Sequence, residues 1–208
     1  MSLELWITFV AASSALLAVP GPTVMLVVSY ALASGRTSGW VTVPGVTLGD
    51  FTAMTASLLG AGAILATSAT LFTALKFAGA LYLIWLGVKL WRAEPTMDDL
   101  QEISGERTMS SMFRNAYLVT ALNPKSIIFF VAFVPLFIDP TMPALSQFVI
   151  LEATFLTLAA ANIALWVLLV GELRSRFKHP ETLRVANRIG ASFLIGAGLL
   201  KDLVSGKL

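Results

Sequence analysis

The sequence predicts an all-α polytopic membrane protein: six transmembrane helices built as two inverted three-helix repeats, with a proline-broken first helix in each half. Three observations carry this reading. First, 57% of the 208 residues are hydrophobic and only 12% are charged, against about 25% charged in an ordinary soluble domain. Second, the charges are segregated. Leu5 to Gly35 holds none, Thr37 to Leu75 only Asp50, Asn115 to Ile138 only Lys125, and Pro140 to Gly171 only Glu152. Each run exceeds the ~20 residues that cross a hydrocarbon core of ~30 Å. Third, two apolar stretches are broken by proline and each is followed by a lone carboxylate, Asp50 at 28 positions after Pro22 and Glu152 at 28 after Pro124.

The first span, 5–34, is interrupted at Val19-Pro20-Gly21-Pro22. Its leading residues, Met1-Ser2-Leu3-Glu4, lack the positive region of a signal peptide, so the span is expected to be retained. The second, 41–65, carries Asp50 and a stripe of Gly45, Gly49, Ala53, Ala56 and Gly60 at helical spacing, a face that lets helices approach closely. The third, 70–91, has only the uncharged run 77–88 and needs Lys76 to snorkel. The polar stretch 92–113 reads as a cytoplasmic linker between a first repeat, 1–91, and a second, 114–208. The fourth span, 115–137, is broken at Leu122-Asn123-Pro124-Lys125. The fifth, 145–170, carries Glu152 and Asn162, the latter expected to hydrogen-bond between helices. The sixth, 187–206, has the uncharged run 189–200 beside Lys201. Because the third and sixth are short, a five-span reading stays open.

Loop charges orient the chain. The loops after spans one, three and five hold ten basic residues, from Arg36 to Arg188, and the loops 66–69 and 138–144 hold none. Basic loops stay in the cytoplasm, which turns both termini outward. Topology thus accounts for the basic residues, and the net charge of +2 gives no sign of a nucleic-acid partner. Trp6, Trp40, Trp85, Trp91 and Trp166 lie mostly toward span ends, where they anchor at interfaces. His179 sits in a basic stretch and reads as a loop residue.

The halves also resemble each other in spans three and six, where Gly79-Ala80-Leu81-Tyr82-Leu83-Ile84 matches Gly190-Ala191-Ser192-Phe193-Leu194-Ile195, with Gly87 and Gly198 after them. Three spans per half is an odd number, so the halves insert in opposite directions, an inverted-topology repeat.

The breaks are where chemistry is expected. Asn123 is a strong N-cap and Pro124 suits the first helical position; Gly21-Pro22-Thr23 can restart a helix less specifically. The restarted half-helices present free N–H groups and positive dipole ends in mid-membrane, a place for a carboxylate. Lys125 adds a full charge. The expected substrate-binding residues are therefore Gly21, Pro22, Thr23, Asn123, Pro124 and Lys125. Asp50 and Glu152, each costing about 2.5–3.5 kcal/mol on insertion scales, are the expected ion-coupling residues. The plainer alternatives are a pair of kinks and static salt bridges from these acids to Lys76 or Lys125. Counting from the span ends sets Asp50 and Glu152 in opposite leaflets.

With Pro20-Gly21-Pro22, Gly45, Asp50, Gly79-Ala80-x-Tyr82-Leu83, Gly87 and Asn123-Pro124-Lys125 in these positions, the chain resembles the LysE/RhtB family of amino-acid exporters over nearly its whole length. The resemblance implies a multi-pass protein of the bacterial inner membrane that exports amino acids or close derivatives on an ion gradient. Family cargo ranges from basic amino acids to homoserine, its lactone, threonine and leucine. Pro22, Asp50, Asn123, Pro124 and Lys125 fall on family motif positions; Glu152 rests on internal symmetry alone.

Three functions compete. The first is a secondary exporter, which accounts for both breaks and both acids, with protons as coupling ion and rocking of one half on the other. It needs no cofactor and no metal. Neutral cargo is favoured, because only two acids lie within spans. The second is a membrane enzyme, disfavoured by the absence of cysteine and of any in-span histidine. The third is a channel or a structural subunit of a membrane complex. Expected partners are a small amino-acid substrate, the bilayer and, as an open alternative, a second copy of the chain.

Overall fold

Proline and glycine set the helix boundaries. The structure, a computed structural model, describes residues 1–68, 108–139 and 141–176, with eleven further positions between 70 and 92 and residues 188 and 192. Helix α1, Leu3–Ala18, starts at Ser2, whose hydroxyl caps the Leu5 N–H, and it stops just before Pro20. Pro22 opens α2, Pro22–Ser34, as its first residue. A single residue then turns the chain: Gly35, at φ 86°, is the one positive-φ position among the described residues. That backbone region suits glycine. Helix α3, Arg36–Thr67, follows at once and runs 32 residues through Pro44. The loop expected at 35–40 is thus reduced to Gly35.

Helix α4, Met109–Ala121, is capped by the Thr108 hydroxyl on the Ser111 N–H. Residues 109–113, read from sequence as the end of a linker, are therefore helical. Helix α5, Pro124–Ala132, restarts after Asn123. A short 3-10 turn, Val134–Phe137, continues it. Helix α6, Ala144–Arg176, spans 33 residues. Buried Gln147 staples the loop before it, accepting from the Asp139 N–H and donating to the Asp139 carbonyl. The Asp139 carboxylate accepts from the Thr141 hydroxyl and N–H, which hold its carboxyl below the usual range.

By length and composition, Ala144–Leu169 can cross a membrane alone. Two bent pairs pass the same test only if each is one span: Leu3–Ala18 with Pro22–Ala31, bent by 55°, and Met109–Ala121 with Pro124–Phe137, bent by 43°. These pairs are the broken helices expected from the two prolines. The glycine motifs of spans three and six, Lys76, His179 and Lys201 lie outside the described residues. Arg188 is placed 5.7 Å over the Trp91 ring, a cation–π contact between the ends of those two spans.

Two apolar clusters form among the described residues. One is aromatic, with Phe9, Phe129, Phe130, Phe133, Phe137 and Phe155 packed among aliphatic neighbours. The other is built of small aliphatics such as Val24, Val27, Val28, Ala31 and Val167. Outward-facing Leu59 and Leu145 are 68% and 75% exposed, as a lipid-facing surface would be.

The small-residue stripe on α3 divides. A methyl group on Gly45 would lie 2.6 Å from the Phe113 carbonyl oxygen, and one on Gly49 would lie 2.8 Å from the Tyr117 carbonyl oxygen. These two glycines let α3 and α4 touch backbone to backbone. Gly60 faces open space. Gly45→Ala is accordingly expected to force the helices apart at a cost of ~1–3 kcal/mol, seen as a lower melting temperature of the purified protein. Gly60→Ala should leave that temperature unchanged or raise it, since alanine is the better helix former.

Candidate functional site at the two helix breaks

A helix that stops at proline leaves carbonyls without partners. In a continued helix the Leu16 carbonyl would accept from the N–H of residue 20, and Pro20 has none. The structure supplies a substitute. The Lys125 ammonium donates to the Leu16 and Val19 carbonyls, each at 3.0 Å. Asn162, from α6, donates to the Leu17 carbonyl at 3.1 Å. The negative end of α1 is thus closed by a cation and an amide from the other half of the chain. Gly21 lies against the lysine: a methyl group there would meet Lys125 Nζ at 3.5 Å.

The second break closes itself. Pro124 has no N–H for the Thr120 carbonyl, and the Asn123 N–H takes that place at 3.1 Å. The Asn123 side chain accepts from the Lys125 N–H, the N-cap expected from sequence. Its amide also donates to the Thr23 hydroxyl at 3.3 Å, and the Thr120 hydroxyl donates to the same oxygen at 3.2 Å. The starts of α2 and α5 are therefore tied together, with Thr23 and Asn123 both buried.

Between the breaks lies a cavity of about 40 Å³, bordered by Gly21, Thr23, Asp50, Asn123, Lys125 and Asn162 on its polar side. Leu16, Val46, Phe155, Ala159 and Ile163 make apolar walls. Such a volume holds a few water molecules. Asp50 is 4% exposed. It faces the same space as Lys125 with no direct ion pair between them. One acid and one base thus border the same small cavity.

Most of the residues picked from sequence meet here: Gly21, Thr23, Asn123, Lys125 and Asp50 all border the cavity. Pro22 and Pro124 act through the backbone, as first residues of α2 and α5. Glu152 stands apart. It accepts a hydrogen bond from Thr55 and does not border the cavity. Thr55 is five positions beyond Asp50 on α3, about 7.5 Å along the axis. Asn162 reaches between helices as expected, and it borders the cavity as well. Sequence alone does not single out Thr120 or the α1 carbonyls; the proline four residues after Leu16 is the sign that carbonyls there need partners.

Asn123→Ala removes both the cap and the tie to Thr23. The expected loss is ~1–3 kcal/mol of stability, measured by thermal unfolding in detergent. Asn123→Asp retains the cap acceptor without the amide donor and should recover part of it.

Residues 14–201 match the family described as LysE type translocator. An "uncharacterized membrane protein" of Vibrio cholerae is 30% identical over 200 residues, covering 96% of this chain and 97% of the relative. A protein of Salmonella typhimurium named "homoserine/homoserine lactone efflux protein" is 29% identical over 201 residues, with coverage of 96% and 97%. A "leucine efflux protein" of Klebsiella pneumoniae is 31% identical over 134 residues, covering 64% of this chain and 63% of that one. No solved structure matches the chain.

Proposed function

Because the chain belongs to the LysE type translocator family, we propose that it is a secondary-active exporter of small neutral amino acids or their close derivatives. The observation that carries this reading is the pairing in one cavity of a single acid, Asp50, with a single base, Lys125. An amino acid has one ammonium and one carboxylate. Asp50 answers the first and Lys125 the second, and among the described residues no third charge borders the cavity to answer a basic or acidic side chain. The apolar wall from Val46, Phe155, Ala159 and Ile163 suits an uncharged one. Relatives named for homoserine, homoserine lactone and leucine efflux support the same class.

In this reading the chain forms six spans in the bacterial inner membrane, as inverted halves 1–91 and 114–208 joined by the cytoplasmic stretch 92–113. The cavity opens alternately to either side as the halves rock. At about 40 Å³ it has room for a few waters and must widen to take an amino acid. Protons drive the cycle through Asp50 or through Glu152.

The test is efflux from preloaded cells with labelled homoserine, threonine, leucine, lysine and arginine, with and without a proton ionophore. Saturable, ionophore-sensitive export of a neutral amino acid is expected. Asp50→Asn should cut it by about tenfold or more, as a lost charge-assisted hydrogen bond does. Whichever of Asp50→Asn and Glu152→Gln leaves a flux that ignores the ionophore identifies the coupling acid. Flux that neither saturates nor responds to the ionophore would make the protein a channel. No flux from protein shown to be inserted and folded would end the exporter reading.

A further inference from the structure

The carbonyls at the end of α1 already hold an ammonium group, and it belongs to the chain itself. Leu16 and Val19 each accept from Lys125 Nζ at 3.0 Å, beside the cavity that Asp50 borders. Carbonyls at a helix end carry partial negative charge and cannot donate, so they select cations that can. From this we infer that the Leu16 and Val19 carbonyls, with Asp50 on the same cavity, form a binding site for a primary ammonium, occupied in this state by Lys125 and offered to the cargo's amine when a carboxylate draws Lys125 away.

The geometry gives the exchange a reason to be coupled. Lys125 cannot leave without orphaning two buried carbonyls, which is costly. A free amine cannot enter while Lys125 is in place. A free carboxylate can engage Lys125 but leaves the carbonyls empty. A zwitterion satisfies both at once: its carboxylate takes the lysine, and its ammonium replaces the lysine on Leu16 and Val19. The site would thereby admit molecules that carry an amine and an acceptor a few bonds apart, and would refuse either group alone. This inference rests on the exporter reading for the cargo's identity, but the ammonium site itself does not.

The site can be tested without any transport assay. In Lys125→Ala the carbonyls are vacant, and ethylammonium chloride should raise the melting temperature of the detergent-purified variant saturably, by about 2–4 °C. Tetramethylammonium, with no N–H to donate, should not. Lys125→Ser is measured beside it, because its hydroxyl can hold a water against the carbonyls and keep the fold if the alanine variant fails. In wild-type protein ethylammonium alone and propionate alone should each leave the melting temperature unchanged, and the two together should raise it. Ethylammonium stabilising wild type as much as the variants, or stabilising neither variant while wild type ignores the mixture, would overturn the assignment. Negative efflux with a positive amine response would sink the exporter reading and leave the site standing.

Discussion

Lys125→Ala should abolish export, lowering the initial efflux rate by about a hundredfold at matched membrane abundance. A charge-assisted hydrogen bond contributes ~1.5–3 kcal/mol, which is ~10- to 100-fold in rate if the carboxylate contact is lost. The orphaned Leu16 and Val19 carbonyls, which accept from this ammonium at 3.0 Å, add to that. Lys125→Arg keeps the charge but presents a planar fork in place of a compact ammonium. It must also fit where Gly21 already stands close to the lysine chain. It should stay below a tenth of the wild-type rate. Efflux from Lys125→Ala above about a third of wild type would remove the lysine from the mechanism.

The largest effect on stability is expected from Phe129→Ala. Phe129 is fully buried. Its ring stacks on Phe133 at 4.5 Å and meets Phe130 and Phe155 at 5.9 Å each. Truncating such a residue removes its transfer energy and leaves a cavity that rigid ring neighbours fill poorly, at ~3–5 kcal/mol. For a chain of this length the melting temperature should fall by roughly 6–20 °C. Phe51, on the outer face of α3, is 45% exposed. Phe51→Ala should move stability by no more than about 0.5 kcal/mol. Equal effects at the two positions would mean that the aromatic cluster is not the core of the fold.

Local chemistry makes both breaks legible in the sequence. Asparagine before proline caps a helix by its own side chain, and that bond is present on the Lys125 N–H. The destination of the Lys125 side chain is not legible in the same way. A charge beside a half-helix start suggests an anion site, yet its ammonium bonds to carbonyls 106 and 109 positions earlier in the chain. No local pattern encodes such a contact. The equal spacing of Asp50 and Glu152 from their prolines does not become equal placement in the fold, for a geometric reason. Between Pro22 and Asp50 one residue, Gly35, is non-helical, whereas the path from Pro124 to Glu152 includes a 3-10 turn and the loop before Ala144. Asp50 therefore lies about 21 Å into its helix and Glu152 about 12 Å into its own, and only Asp50 reaches the cavity. The glycine stripe on α3 is legible as a packing face, but where it leaves α4, at Gly60, depends on tertiary placement.

The breaks also bear on how the chain enters the bilayer during synthesis. Helix α1 has 16 residues and α2 has 13, lengths of about 24 and 20 Å, each short of a ~30 Å hydrocarbon core. Neither is long enough to cross alone, so in the six-span reading the insertion machinery accepts the pair as one bent unit. The same holds for α4 and α5, with 13 and 9 residues. The second unit brings Lys125, an expensive passenger. Its acceptors, Leu16 and Val19, emerge from the ribosome more than a hundred residues earlier. Translation thus delivers the acceptor before the charge, and the lysine enters a membrane where its partners already wait.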